Sequence, residues 1–289
     1  MSTTLENVGL QLWSGALLLA DYLLARPELV REKTVLELGA GLGLPSIVAA
    51  RFCGATRVTA TDYGEEVLSL CEQNLKASLS ERFRSESARR AGADESAAQG
   101  EAWSVREMNW LDESFPLWED PTDSPSDTTP LPTNPPASFA WEKTDTTAFI
   151  HSTTVILAAD VIYTPAATEQ LVRRLKTLLQ RTLRGEDRAL FLAVEKRLGF
   201  TLSGEERAPS YDHFWNVMRE ANEELDKWGL PCLGDGAGGI PMIEGEQGVT
   251  KVPRFQWKLE PTEFQSVPQR VSGYTRTKEM EVWKMWLDY

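Results

Sequence analysis

"TVLELGAGLGLPSIVAA", residues 34–50, is the stretch whose reading decides the fold. The apolar run from Val35 to Leu38 stops at Gly39-Ala40-Gly41-Leu42-Gly43, and apolar residues then return at helical spacing. A strand that passes through a glycine turn into a helix reads this way. Such a turn lets the backbone approach a ligand closely, and the helix that follows offers its first N–H groups.

The spacing narrows the choice of ligand. A dinucleotide fingerprint is G-x-G-x-x-G, and here Leu44 stands where its third glycine belongs. A phosphate-cradling loop needs Gly-Lys-Ser/Thr, for which Pro45-Ser46 is no substitute. Glu37 lies two residues before the first glycine. A carboxylate there repels phosphates and suits a ligand with an ammonium group. S-adenosylmethionine has that ammonium, a sulfonium and no phosphate. Asp62 ends the next β-rich run, "RVTATD" (57–62), where a carboxylate can accept both ribose hydroxyls. NAD enzymes also use an acid there, so the combination of E-x-G-x-G-x-G with a strand-end aspartate carries the reading. A dinucleotide enzyme and a purely structural glycine turn are the alternatives.

The 289 residues suffice for one large α/β domain or two small ones, and 42% hydrophobic content supports a sizeable core. No apolar run reaches the ~18 residues of a membrane span, and "MSTTLENVG" shows no secretory pattern. Cys53, Cys71 and Cys232 are scattered without CxxC spacing, which fits a reducing compartment and argues against a zinc site. With His151 and His213 the only histidines, no metal is expected. The net charge of −13 comes from 43 acidic and 30 basic residues, with no basic stripe for direct nucleic-acid binding. An acidic surface attracts basic partners, although charge for solubility reads equally well.

Strands alternating with helices predict a parallel sheet covered on both faces. Expected helices cover 10–29, 44–52, 64–78, 167–183 and 211–225, and expected strands 34–39, 57–62, 104–110, 153–163 and 188–197. Two late strands, 254–261 and 275–286, suggest an antiparallel hairpin at one edge. One domain over 1–289 is expected, with polar insertions at 81–101 and 116–147 and a glycine-rich loop at 229–248. The insertion at 116–147 holds seven prolines among Ser, Thr and Asp and reads as extended and mobile.

Four stretches, "LQLWSGALLLADYLL", "VLELGAGLGLPSIVAA", "REMNWLDE" and "ILAADVIY", resemble the methyltransferase-like 21 group of seven-strand lysine methyltransferases. The resemblance implies a Rossmann-like class I S-adenosylmethionine-dependent methyltransferase fold, with a seven-stranded, mostly parallel sheet. It matches Trp13 to the tryptophan covering the cofactor, and Gly39, Ala40 and Gly41 to the loop under its amino-acid end; Glu37 and Gly43 are expected at the cofactor from the E-x-G-x-G-x-G spacing itself. Asp62 matches the ribose acid, Trp110 the residue stacking near adenine, and Ala159 the small residue bordering the methionine end. Asp160 and Tyr163 match the D-x-x-Y element that faces the methyl group. Core packing is the plain alternative for Trp13, Trp110 and Ala159. The group resemblance implies protein-lysine N-methylation. The far end, "LAVEKRLGFTL", "YDHF" and "SGYTRTKEMEVWKMW", resembles one member of the group more particularly, which implies a basic, nucleic-acid-associated substrate of the Kin type, in the nucleus or cytoplasm. A monomer is expected.

Methyl transfer to lysine is an in-line displacement, and the enzyme's main task is to hold a neutral amine in near-attack geometry. A lysine with a solution pKa of ~10.4 must first lose a proton, which a partly apolar pocket beside a sulfonium favours. Asp160 is expected to orient the amine, with Tyr163 shaping the pocket mouth, and no residue stands out as a general base. Glu195, in "VEKR" (194–197), either receives a basic substrate segment or pairs with Lys196 or Arg197. Two further readings stay open: a small-molecule N-methyltransferase of this fold, and an interaction protein that has lost its chemistry.

Overall fold

The computed structural model describes residues 5–90, 103–112, 139–141, 152–182, 189–200, 206–227, 254–259 and 267–288. Its centre is strand β1 (Thr34–Leu38), paired in parallel with β2 (Arg57–Asp62) on one side and β4 (Thr153–Ala159) on the other. Strand β3 (Trp103–Glu107) extends the sheet beyond β2, and β5 (Ala189–Glu195) extends it beyond β4, both parallel. A short β6/β7 pair (Gly199–Phe200 and Glu206–Arg207) stands apart. Strand β9 (Met280–Asp288) then runs antiparallel along β5 and pairs with β8 (Arg254–Leu259). The order β3-β2-β1-β4-β5-β9-β8 makes seven strands with an antiparallel edge hairpin, as the sequence predicts.

The apolar runs alternate between two cores. Val35, Val155, Leu157 and Phe191 meet helix α1 (Ser14–Ala25), α2 (Leu44–Arg51) and α3 (Glu65–Arg90) on one face. Leu36, Ile156, Leu190 and Leu192 meet α4 (Pro165–Thr182) and α5 (Pro209–Lys227) on the other. Strands buried on both faces explain why these segments read as nearly continuous hydrophobic runs. Among the described residues, no helix is long and apolar enough to cross a membrane.

Several boundaries differ from expectation. The expected helix over 10–29 is shorter, α1 from Ser14 to Ala25, with a 3-10 turn over Leu5–Leu10 before it and another over Pro27–Leu29 after it. Helix α3 runs on to Arg90, into the first polar insertion, and β3 ends at Glu107 rather than 110. The remainder of that insertion and the loop at 229–248 lie outside the described residues. Most of 116–147 does too, but Phe139 and Trp141 are buried in the two cores. Glu107 N–H donates to Phe139 O at 2.9 Å, and Trp141 Nε1 donates to Glu107 O at 2.7 Å. This stretch is therefore a clamp on the β3 edge, against the expectation of an insertion that buries little. Trp141→Phe keeps the ring but strips that carbonyl of its donor, at an expected cost of about 1–2 kcal/mol. A urea midpoint unchanged by the substitution would show that the indole hydrogen bond is not needed.

A second tie joins distant parts of the chain. Asp21, fully buried on α1, accepts the backbone N–H groups of Arg270 and Val271 at 2.7 Å each. It also accepts the Tyr274 hydroxyl at 2.5 Å and Arg276 Nη2 at 2.8 Å. Arg276 Nη1 in turn donates to Val267 O. The segment leading into β9 is thereby tied to the first helix.

Candidate active site

The carboxyl ends of β1, β2 and β4 open onto one cavity of about 260 Å³, where ligands of open parallel sheets bind. Its wall contains Trp13, Glu37, Gly39, Ala40, Gly41, Asp62, Trp110, Ala159, Asp160 and Tyr163. Of the eleven residues expected at the site, only Gly43 is missing from the wall. Gly43 sits at φ +77 as the N-cap of α2, and a Cβ there would lie 2.5 Å from Leu75 Cδ1 and 3.0 Å from Cys71 Sγ. It is a glycine because α2 and α3 pack closely at that point. Gly39, at φ +62, does border the cavity; a Cβ on it would run into Val161 Cγ1 at 2.7 Å.

Two carboxylates lie beneath the loop. Glu37 Oε2 accepts the Ser46 N–H in the first turn of α2 at 2.9 Å. Burial raises its pKa to about 8, against the pull of the Ser46 bonds and with the Asp62 charge adding to the rise. Asp62 Oδ2 accepts Gly41 N–H at 2.7 Å and Oδ1 accepts Tyr63 N–H at 2.8 Å, fixing the loop against β2. Burial raises its pKa to about 6, although both backbone bonds oppose it. A carboxylate has about four acceptor positions, so two remain for a ligand's hydroxyls.

The wall carries Glu37, Asp62, Glu65, Glu66 and Asp160, and no Lys, Arg or His among the described residues. Its charge is of one sign. Together with the Trp13 ring, this donor-poor, acidic lining fits a cationic ligand and opposes a phosphate-bearing one. No group of His, Cys, Asp and Glu suited to a metal occurs among the described residues.

Asp160 does more than the sequence suggests. Its Oδ2 accepts Gly15 N–H in the first turn of α1 at 2.6 Å, and Oδ1 accepts Glu195 N–H at the end of β5 at 2.9 Å. A Cβ on Gly15 would lie 2.6–2.8 Å from the carboxyl atoms, so the contact requires glycine. Asp160 holds φ +52, a strained conformation for a residue with a side chain. Burial pushes its pKa up, while these two bonds and the Arg197 charge pull it down. The carboxylate is a strut between α1 and β5 as well as part of the wall. Tyr163, half-buried, has its pKa raised by burial and then by the Tyr63 and Asp62 charges, so its hydroxyl keeps its proton.

Other lining residues escaped the sequence reading. The 3-10 turn lays Val8 and Gly9 over the glycine loop, with Gly9 O 3.1 Å from where a Gly41 Cβ would be. Trp13 Nε1 donates to Val8 O at 2.8 Å, so this turn and the tryptophan hold one another. The only signal was Gly9, in a position without periodicity. His213 is away from the wall and pairs with Glu169 at 3.1 Å. Glu195 joins neither of its cationic neighbours, since Lys196 pairs with Glu281 and Arg197 lies over the Trp13 ring.

Residues 1–88 match the family described as lysine methyltransferase. Over 286 residues, 99% of this chain, the sequence is 35% identical to methyltransferase-like protein 22 of Mus musculus and 33% identical to that of Homo sapiens. These alignments cover 57% and 55% of the two relatives, so the chain spans little more than half their length. A further stretch of 66 residues, 22% of this chain, is 52% identical to 26% of protein N-terminal and lysine N-methyltransferase efm7 of Schizosaccharomyces pombe. The sheet order is that of a seven-strand, class I methyltransferase fold, and along nearly all of its length the chain is similar to methyltransferase-like protein 22, with its first 88 residues matching the lysine methyltransferase family.

Proposed function

We propose that the chain is a single S-adenosylmethionine-dependent domain that methylates the side-chain amine of lysine in a basic, nucleic-acid-associated protein, acting as a monomer in the nucleus or cytoplasm. The observation that carries this reading is the uniformly acidic, phosphate-rejecting wall beside Trp13. The names of the related proteins support lysine as the acceptor. When bound, the cofactor supplies an electrophilic methyl group on a sulfonium.

The chain's own residues hold and position. Asp62 accepts ribose hydroxyls, Glu37 neutralises the ammonium of the amino-acid end, and the Gly39–Gly41 backbone lies under it. Trp13 presents a ring face to positive charge. Ala159 leaves room beside the reacting centre, and Tyr163 borders it with a neutral hydroxyl. Trp110 packs behind Gly39 and closes the adenine side. The acceptor amine arrives as an ammonium, and a desolvated position beside a second cation favours release of its proton to water.

A pH dependence follows from the two buried acids. Their pKa values are raised without ligand, and a cationic ligand favours their ionised forms, so binding releases protons. Cofactor affinity is expected to rise between pH 6 and 7.5 by as much as tenfold per unit through Glu37. The sign for stability is opposite. These groups hold protons more tightly folded than unfolded, so the free protein loses stability as pH rises from about 4 towards 8. Calorimetry in two buffers of different ionisation heat measures the proton count, and a flat affinity profile would remove Glu37 from the ammonium site.

The deciding experiment labels a cell extract with methyl-tritiated cofactor and this chain, alongside small amines such as nicotinamide. Radiolabel on protein lysines, falling as salt screens the acidic surface, is the expected result. Label on the small amine with protein untouched would replace this reading by the small-molecule one.

A further inference from the structure

Lysine methylation needs a second surface, for the protein that presents the amine. Glu195 is the last residue of β5, at the same carboxyl edge of the sheet as the cavity. Its N–H is bound to Asp160 Oδ1, so its backbone is fixed to the cavity wall. Its side chain is half-buried.

Two cations follow it directly, and the fold turns both away. Lys196 pairs with Glu281 on β9 and lies 4.5 Å over the Tyr211 ring, while its N–H donates to Glu279 O. Glu281 is further held by the Tyr211 hydroxyl and by Trp283 Nε1 at 3.0 Å, so Lys196 is committed to that side. The Arg197 guanidinium stacks 4.3 Å over the Trp13 ring. The Glu195 carboxylate makes no ion pair among the described residues, beside an Asp160 of the same charge. The Arg197 charge eases Asp160, but no ion pair among the described residues answers Glu195, and two neighbouring, partly desolvated carboxylates stay unfavourable until a further cation arrives.

Building on the methyltransferase reading, we propose that Glu195 is a specificity residue for the protein substrate, receiving a lysine or arginine side chain that adjoins the acceptor lysine on the substrate's surface. The strut through Asp160 then sets the distance between the cavity wall and this flanking cation. Substrates with an acidic residue in that place meet like charge and are turned away.

The test uses the full chain with wild-type sequence, Glu195→Gln and Glu195→Lys. Each labels the same cell extract with isotopic cofactor, the methylated lysines are mapped by mass spectrometry, and cofactor affinity is measured separately. For the wild type, methylated lysines are expected to carry a neighbouring Lys or Arg. Glu195→Gln should lower kcat/KM on these sites about tenfold, and Glu195→Lys more, with cofactor affinity unchanged. Equal labelling of the same sites by all three proteins overturns the proposal, as does a loss of cofactor affinity in the variants or a lack of flanking bases at wild-type sites. Absence of any lysine labelling by the wild type defeats the methyltransferase reading, and the Glu195 assignment with it.

Discussion

Asp21→Ala is expected to destabilise the protein by about 3–5 kcal/mol, because it removes the carboxylate that pairs with a half-buried guanidinium. That cation is left neutral acceptors such as Val267 O and the Tyr274 hydroxyl, and two backbone N–H groups lose the same carboxylate. Asp21 binds Arg276, Tyr274, Arg270 and Val271 at once. At about 2–4 °C per kcal/mol for a protein of this size, the melting temperature should fall by roughly 10 °C. Burial alone would push the Asp21 carboxyl up, but the Tyr274, Arg276 and backbone bonds outweigh it and hold it below the usual range. A depressed carboxyl stabilises the fold above its unfolded value and loses that contribution as pH falls through the folded one. The wild-type advantage over Asp21→Ala should therefore shrink below about pH 4. Denaturation of both proteins at pH 7 and pH 3 measures this. A difference under 1 kcal/mol at pH 7 would show that the segment 267–276 is held by other contacts.

Asp160→Ala should cost both activity and stability. The sequence suggested a group that only orients the amine, whose loss would slow turnover and spare cofactor binding. The structure changes that expectation, because the carboxylate accepts one N–H from α1 and another from β5. Two hydrogen bonds to a charged acceptor are together worth about 3 kcal/mol or more. The α1 end that loses its acceptor begins one residue after Trp13, so cofactor affinity should weaken as well. Displacement of the wall by an ångström is enough for about a hundredfold loss of turnover. Asp160→Gly removes the same carboxylate while relieving the left-handed backbone, so it should be more stable than Asp160→Ala by about 1 kcal/mol. Denaturation, cofactor calorimetry and turnover on both variants separate the effects. Lost turnover with stability and cofactor affinity intact would restore the purely catalytic assignment.

The legible parts of this protein were those whose physics is local. Val35–Leu38, the glycines at 39 and 41, Asp62 and the apolar β4 run declare themselves because a strand, a tight turn and a strand-end acid each leave a pattern within a dozen residues. Gly43 was placed by the same motif but serves helix packing, since its neighbours Cys71 and Leu75 are a full helix away. Asp21 hides within an apolar helix, where a lone acid reads as solvent-facing; its partners lie near the other end of the chain. Phe139 and Trp141 were obscured by the prolines around them, because composition averages over a segment while burial is decided residue by residue. The strut at Asp160 depends on a glycine 145 positions earlier, which no spacing rule reports.

The tie between Asp21 and the segment before β9 also bears on synthesis. Its partners lie 249 to 255 residues further along the chain. At roughly 5–20 residues per second, the ribosome delivers them about 12 to 50 seconds after the helix that needs them. Until then α1 is an apolar segment carrying an unanswered carboxylate, and β5 lacks its neighbour β9. Nascent chains of this protein are thus expected to depend on chaperones through most of translation, and fragments ending before residue 267 to precipitate even though they contain every residue of the cavity wall.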